Sequence, residues 1–341
     1  MPSLSGRGFG SCLFHMQGRP MRLQILVNRY NEPESTVDRF LRSVAMQTGF
    51  GDFEVVIGDD GSDTPIPEDV FARHPFARVI EYPHRGVSAT RNALFDQSTA
   101  DWLMFCDIDD SFITPHGLST IASVMSSDCD VFASAFVSER PAIGNLTLSH
   151  DVYFLHGKAF RRGYLIENGI RWADEMVTTG DEVFLWQAMY LTDRIAYCDE
   201  PFYAWRYNPK SVCRCETDHF EKSYHKSLRS YELLIDTLLD RGVTWLAERH
   251  AVAMAYDAYC MMNRDRWLKL VGSDFIDEAE NRFVRMVGKY SSLILGADAH
   301  TCDIVWKEKR MNYAGECPES TDGFVDWFWS VARRVSERMP S

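Results

Sequence analysis

Four short apolar runs that break off into polar turns constrain this chain more than any other feature. They are Leu23–Val27, Phe53–Ile57, Arg78–Tyr82 and Trp102–Cys106. Pro33 opens a helix between the first two, with Val37, Phe40, Leu41 and Val44 at helical spacing. A second helix is predicted from about Val87 to Ser98, before the fourth run. Short apolar strands alternating with helices fit a parallel sheet covered on both faces. In such sheets ligands bind beyond the carboxyl ends of the strands. The polar clusters fall there: Tyr30-Asn31-Glu32, Asp59 to Asp63, and Asp107 to Asp110.

Charge narrows the function. Asp and Glu number 49 against 36 Lys and Arg, a formal net charge of −13. That disfavours nucleic acid as a partner, because phosphate binding needs a basic footprint. The surplus is uneven: residues 1–211 hold 28 acids and 18 bases, and 212–341 hold 21 and 18. No apolar run approaches the ~18 residues of a membrane-spanning helix. The nine cysteines are odd in number and scattered, which fits reduced thiols and a cytoplasmic setting. Cys213 and Cys215, with His219 and His225 nearby, match no standard zinc spacing.

Along the chain, residues 1–20 are rich in Gly, Ser and Arg and read as a poorly ordered extension without a secretory signal. Residues 21–212 form the α/β unit. Its later part is predicted to hold helices near 116–126, 158–168 and 181–192 and a strand near 130–137. From 213 to 341 strand signals fade, and helices are predicted near 217–240, 243–262, 274–290 and 323–338.

The turn Cys106-Asp107-Ile108-Asp109-Asp110 is the most informative motif. At a strand end Asp107 and Asp109 point to one side, and two close carboxylates repel unless a cation lies between them. Oxygen ligands of this kind suit Mg²⁺ or Mn²⁺. A helix cap or a polar turn is the alternative reading.

Together with Tyr30-Asn31-Glu32, Gly58-Asp59-Asp60-Gly61-Ser62 and Arg85-Gly86-Val87-Ser88-Ala89-Thr90-Arg91-Asn92-Ala93, this turn resembles glycosyltransferase family 2. The resemblance continues through Gly157-Lys158, Asp181-Glu182 and the segment Trp205–Ser211, all in the expected order. It implies the GT-A fold, a Rossmann-like, mostly parallel sheet flanked by helices, here followed by an α-helical C-terminal region. It also implies inverting transfer of a sugar from a nucleotide-diphosphate donor, UDP before others, to a hydroxyl of a glycan or lipid-linked acceptor.

The resemblance further implies residue roles. Asp60 accepts from the nucleobase edge, Tyr30 and the backbone around Asn31 pack against the base, and Glu32 belongs to the same nucleotide-sugar site. Arg91 reaches the base or diphosphate, Asp107 lies near the ribose, and Arg206 clamps the diphosphate. Asp109 holds Mn²⁺ or Mg²⁺, with Asp110 as an alternative ligand. The base is the second acid of a Glu-Asp pair, which here reads Asp181-Glu182 in reversed order; Glu182 falls on the base position, and a one-residue shift gives the role to Asp181. Many relatives carry a His where this chain has Asn208. His156 and Lys158 lie on the acceptor side.

In the tail, Phe324, Trp327, Phe328, Val331 and Val335 share one face of the 323–338 helix, beside Arg333, Arg334 and Arg338. That pattern suits either peripheral contact at the inner face of the membrane or packing on its own domain or in a homo-oligomer. Two other functions compete. A nucleotidyltransferase would need a Gly-rich phosphate loop after the first strand, which Arg29–Glu32 lacks. A catalytically silent nucleotide-sugar-binding or scaffold protein of a polysaccharide assembly complex would share the same motifs.

Overall fold

The computed structural model describes residues 22–140, 144–148, 154–176, 180–209, 219–262, 273–312, 326 and 330. The chain opens with β1 (Leu23–Arg29), α1 (Glu34–Ala45), β2 (Phe53–Asp59), α2 (Glu68–Arg73), β3 (Ala77–Glu81), α3 (Val87–Gln97) and β4 (Trp102–Asp107). A two-residue strand β5 (Ser111–Phe112), α4 (Gly117–Met125), β6 (Val131–Arg140) and β7 (Gly144–Leu148) follow. Next come β8 (Lys158–Arg161), α5 (Arg162–Glu167), α6 (Gly180–Tyr190) and β9 (Ile195–Trp205). Four long helices complete the described chain: α7 (His219–Asp240), α8 (Thr244–Met262), α9 (Ser273–Gly296) and α10 (Ala299–Asn312).

One sheet runs in the order β3-β2-β1-β4-β8-β6-β9-β5, with β7 also on β6. Strands β1 to β4 pair in parallel, so their carboxyl ends share one edge. Beyond β4 the sheet turns mixed: β8 is antiparallel to β4 and β6, while β6 and β9 are parallel. Both faces are covered, which is why the strands read as continuous apolar runs. Ile25, Val27, Val55 and Ile57 pack with Val37, Phe40, Leu41 and Val44 of α1. On the opposite face Leu26, Val56, Leu103 and Phe105 pack with Leu94 and Phe95 of α3 and with Phe184 and Leu185 of α6.

The predicted elements from 21 to 137 are present, with ends shifted by a few residues. The helix predicted near 158–168 begins instead as a strand, β8. Ala159 packs on one face of the sheet and Phe160 on the other, so the segment lacks the alternation that marks a half-wet strand. The weakly patterned strands β7 and β9 and the short helix α2 had no clear sequence signal. The predicted helix 323–338, with its membrane or packing role, lies outside the described residues apart from Asp326 and Ser330, as do Cys213 and Cys215. Among the described residues no helix is long and apolar enough to cross a membrane.

Helix α6 is shared between two cores. Phe184, Leu185, Ala188 and Met189 face the sheet. Trp186 joins the core of the helical region, with Leu234 and Leu238 of α7, Leu246 and Tyr256 of α8, Phe283 and Val287 of α9, and Val305 of α10.

Candidate active site

The turns at the carboxyl ends of β1, β2 and β4 meet at one edge of the sheet. After β1, Asn31 takes the left-handed conformation (φ 65°), which Asn tolerates better than most residues. Its amide donates to Ser62 Oγ (2.8 Å), and its side-chain oxygen accepts from the Asp63 amide (2.8 Å). Buried Arg29 ion-pairs with Asp59 and donates to the carbonyls of Glu32 (3.0 Å) and Thr64 (2.9 Å). The β1 and β2 turns are thereby fastened to each other from beneath.

Tyr30 projects from this platform, about half exposed, and stacks on His84 with ring centroids 4.3 Å apart. Its amide donates to the Glu32 carboxylate (2.6 Å). Burial pushes Glu32 up to about 7, against the Tyr30 amide that favours its charge, and Asp109 adds to the rise.

Asp60 is almost fully buried. It accepts from the amides of Arg85 (2.8 Å) and Gly86 (3.0 Å) and from the Thr90 hydroxyl (2.8 Å), with His84 Nδ1 at 2.9 Å. Its lone pairs are committed to the turn that leads into α3. Gly61 makes that turn possible: its φ is +78°, and a Cβ there would lie 2.6 Å from the His84 backbone nitrogen. Gly61→Ala is therefore expected to cost about 1–3 kcal/mol in urea unfolding and to loosen the Tyr30–His84 stack.

Helix α3 then carries a buried polar side. Ser88 Oγ donates to the Met176 carbonyl (2.5 Å), and Asn92 Nδ2 donates to the Trp172 carbonyl (2.9 Å) and to Asp174 (2.6 Å). Arg91 lies between them, 4% exposed. It bonds Asp107 Oδ1 (2.8 Å) on the β4 turn and ion-pairs with Asp181 on the first turn of α6. Burial works against the Arg91 charge, but Asp181 and Asp107 more than offset it and hold its pKa above the usual value. One guanidinium thus joins the β4 acids to the α6 acid pair. The neighbouring Glu182 is half-buried.

The acids of the β4 turn differ in surroundings. Asp109 accepts from Asn208 Nδ2 (2.8 Å), while its carbonyl accepts from Arg39 of α1 (2.6 Å). Asp110 is fully buried and accepts from the Tyr203 hydroxyl (3.0 Å) and the Arg206 amide (2.9 Å). His156 Nδ1 lies 3.3 Å from it, in an aromatic nest with Phe136, Tyr203 and Trp205. Burial raises the pKa of Asp109, with Asp107 adding to it, and also that of Asp110, where His156 opposes the rise.

Ligand atoms of Asp107, Asp110 and His156 lie within 4.8 Å of one another. Two carboxylates and an imidazole form a donor set suited to a divalent cation. A cation would also relieve the crowding of negative charge at this turn.

Two expected site residues turn toward the chain. Arg206 donates from Nε to Ser111 Oγ (2.9 Å) and approaches Glu139 (3.5 Å). Lys158 is fully buried, and its Nζ donates to the Phe154 carbonyl (2.7 Å). Sequence reasoning quoted Ser88 and Asn92 within a motif without giving them a role, and missed Tyr203 and Arg39. The first two had a signal, since polar residues four apart on a helix between two sheet strands face one partner.

Over residues 25–180 the chain matches the family described as Glycosyl transferase family 2. An uncharacterized glycosyltransferase of Haemophilus influenzae is 33% identical over 91 residues, and the uncharacterized glycosyltransferase YwdF of Bacillus subtilis is 28% identical over 103. These stretches take in 27% and 30% of this chain and span only 30% and 37% of those relatives. In structure, S. aureus TarS 1-349 in complex with UDP-GlcNAc is similar with a TM-score of 0.63 at 15% identity, over 94% of this chain and 93% of that one. The mannosyltransferase PcManGT from Pyrobaculum calidifontis, in complex with GDP-Man and Mn2+, has a TM-score of 0.50 at 11% identity, over 94% and 89%. At these identities the likeness speaks for the fold.

Proposed function

We propose, from the premise that residues 25–180 match glycosyltransferase family 2 and that the chain has a GT-A-like fold, that it transfers a sugar from a nucleotide-diphosphate donor, UDP-linked, to an acceptor hydroxyl with inversion. The observation that carries this reading is the Arg91 bridge, which joins the β4 turn acid Asp107 to Asp181 at the start of α6. A donor needs the acids of the β4 turn and an acceptor those of α6.

Tyr30, backed by His84, offers a face for the nucleobase. Asp60 serves this site by shaping the 84–86 turn. Asp107, Asp110 and His156, with Asp109 beside them, are the residues that would hold Mn²⁺ or Mg²⁺. Such a cation would neutralise the diphosphate as it leaves. The Mn2+ complex of the mannosyltransferase supports this assignment.

The base role goes to Glu182, the second acid of the pair and the position on which the base falls in the resemblance, with Asp181, which ion-pairs with Arg91, as the alternative. The Glu182 carboxylate takes the acceptor hydroxyl's proton as that oxygen attacks the anomeric carbon. The bond from that carbon to the diphosphate oxygen breaks, and the nucleoside diphosphate departs with the electron pair. Direct displacement inverts the centre and uses no covalent nucleophile. The acceptor is a glycan or a lipid-linked molecule.

Thermal shift with Mn²⁺ tests the donor class. At a hundredfold excess over Kd a nucleotide adds about 2.7 kcal/mol of stability, so UDP is expected to raise the unfolding midpoint by several degrees and GDP by less. Equal shifts, or none, would remove the UDP assignment.

A further inference from the structure

Resting on the reading of Asp181 and Glu182 as the acceptor-side acids, we propose that Arg229, in the helical region, is a positioning residue for that acid pair. The stretch Trp172–Met176 precedes α6 in the chain, and it is tied down from two sides. On the side of the sheet, α3 holds it through Ser88 and Asn92. A Cβ on Gly180, the first residue of α6, would lie 2.6 Å from Ser88 Oγ, so α3 also abuts the start of that helix.

On the other side stands α7. Arg229 Nε donates to Glu175 Oε1 (2.7 Å), and the same guanidinium bonds Glu232 one turn further along its own helix. Glu232 in turn accepts from Lys289 of α9 (3.2 Å). That ammonium also reaches Asp236 (2.6 Å), which accepts from the Tyr290 hydroxyl (2.8 Å). The chain of charges therefore runs from α9 through α7 to Glu175, five residues before α6 begins.

Arg229 acts as a fork rather than a point charge. One nitrogen is held by its own helix, which fixes the direction in which the other presents to Glu175. Separate exposed ion pairs contribute about 0–1 kcal/mol each, so the network is a weak source of global stability. Its consequence is local. The packing of α6 agrees, because Trp186 is anchored in the helical core while Phe184 and Leu185 are anchored against the sheet. The acid pair sits at the end of a helix held from both cores, and Glu175–Arg229 is the polar part of the second hold.

The test is hydrogen–deuterium exchange on the full chain, paired with steady-state kinetics. Arg229→Gln is expected to leave the unfolding midpoint near wild type. It is expected to speed exchange severalfold in peptides covering Trp172–Met176 and the first turn of α6, with β1 to β4 unchanged. Transfer should fall about tenfold in kcat, with the donor KM unmoved. Arg229→Lys should recover little, and the charge swap Arg229→Glu with Glu175→Arg should restore both readouts in part. Lys307→Gln, which removes another exposed pair, Lys307–Asp303, is the control and should change neither.

Unchanged exchange in the 172–182 region for Arg229→Gln, or an equal change in the control, would overturn the proposal. Exchange is read whether or not sugar is transferred. A faster-exchanging variant of a protein that transfers nothing would thus overturn the enzymatic reading and leave the positioning role standing.

Discussion

Glu182→Gln is expected to cut sugar transfer by about 10²- to 10⁴-fold, the range of a positioned general base, while leaving donor affinity unchanged. The amide keeps the shape of the carboxylate but loses its negative charge and its capacity to accept a proton. Asp181→Asn is expected to do less to the chemical step, because the Asp181 carboxylate is engaged by Arg91. Its effect should instead overlap with that of changing Arg91, since residues in one hydrogen-bonded network are not additive. Single-turnover transfer with saturating donor separates the two acids. A larger loss in Asp181→Asn than in Glu182→Gln would move the base to Asp181.

Arg91→Met should be the most damaging single change at this site. The guanidinium is 4% exposed and neutralises Asp107 and Asp181 at once. Removing one partner of a buried ion pair typically costs about 3–5 kcal/mol. Here both carboxylates are about one third exposed, and water compensates part of the loss, so about 2–3 kcal/mol is expected in urea unfolding. Arg91→Lys should recover only a fraction, because an ammonium cannot span both acids in the manner of a planar fork. Divalent cation should also bind differently to Arg91→Met, since Asp107 is then released from its organic partner; calorimetric titration with Mn²⁺ reads this directly. A variant as stable as wild type, with unaltered Mn²⁺ binding, would mean that the bridge carries no energetic weight.

The four-run pattern from Leu23 to Cys106 was enough to determine a covered parallel sheet, its direction and the edge that carries the acid-rich turns. The physical reason is that β1, β2 and β4 are largely buried on both faces, so each reads as an apolar run that ends where the chain meets water, while β3, at the sheet edge, is apolar only in part. The acid-rich turns at those ends were legible for the same reason, and the acid pair Asp181-Glu182 through the resemblance to glycosyltransferase family 2. The later strands were not. β8 has the run length of a short helix or strand, and only its pairing with β4 and β6 decides between them.

Side-chain partnerships belong to the tertiary structure alone. Asp60 turning inward to the 84–86 turn, His156 reaching Asp110, and Lys158 folding back on the Phe154 carbonyl join residues from 4 to 46 positions apart. Arg91 meets Asp181 across 90 residues and Arg229 meets Glu175 across 54. A sequence shows which residues can carry charge. Which charges face each other depends on how the β4 turn, α3, α6 and α7 pack, and that packing is set by the apolar cores on either side of α6.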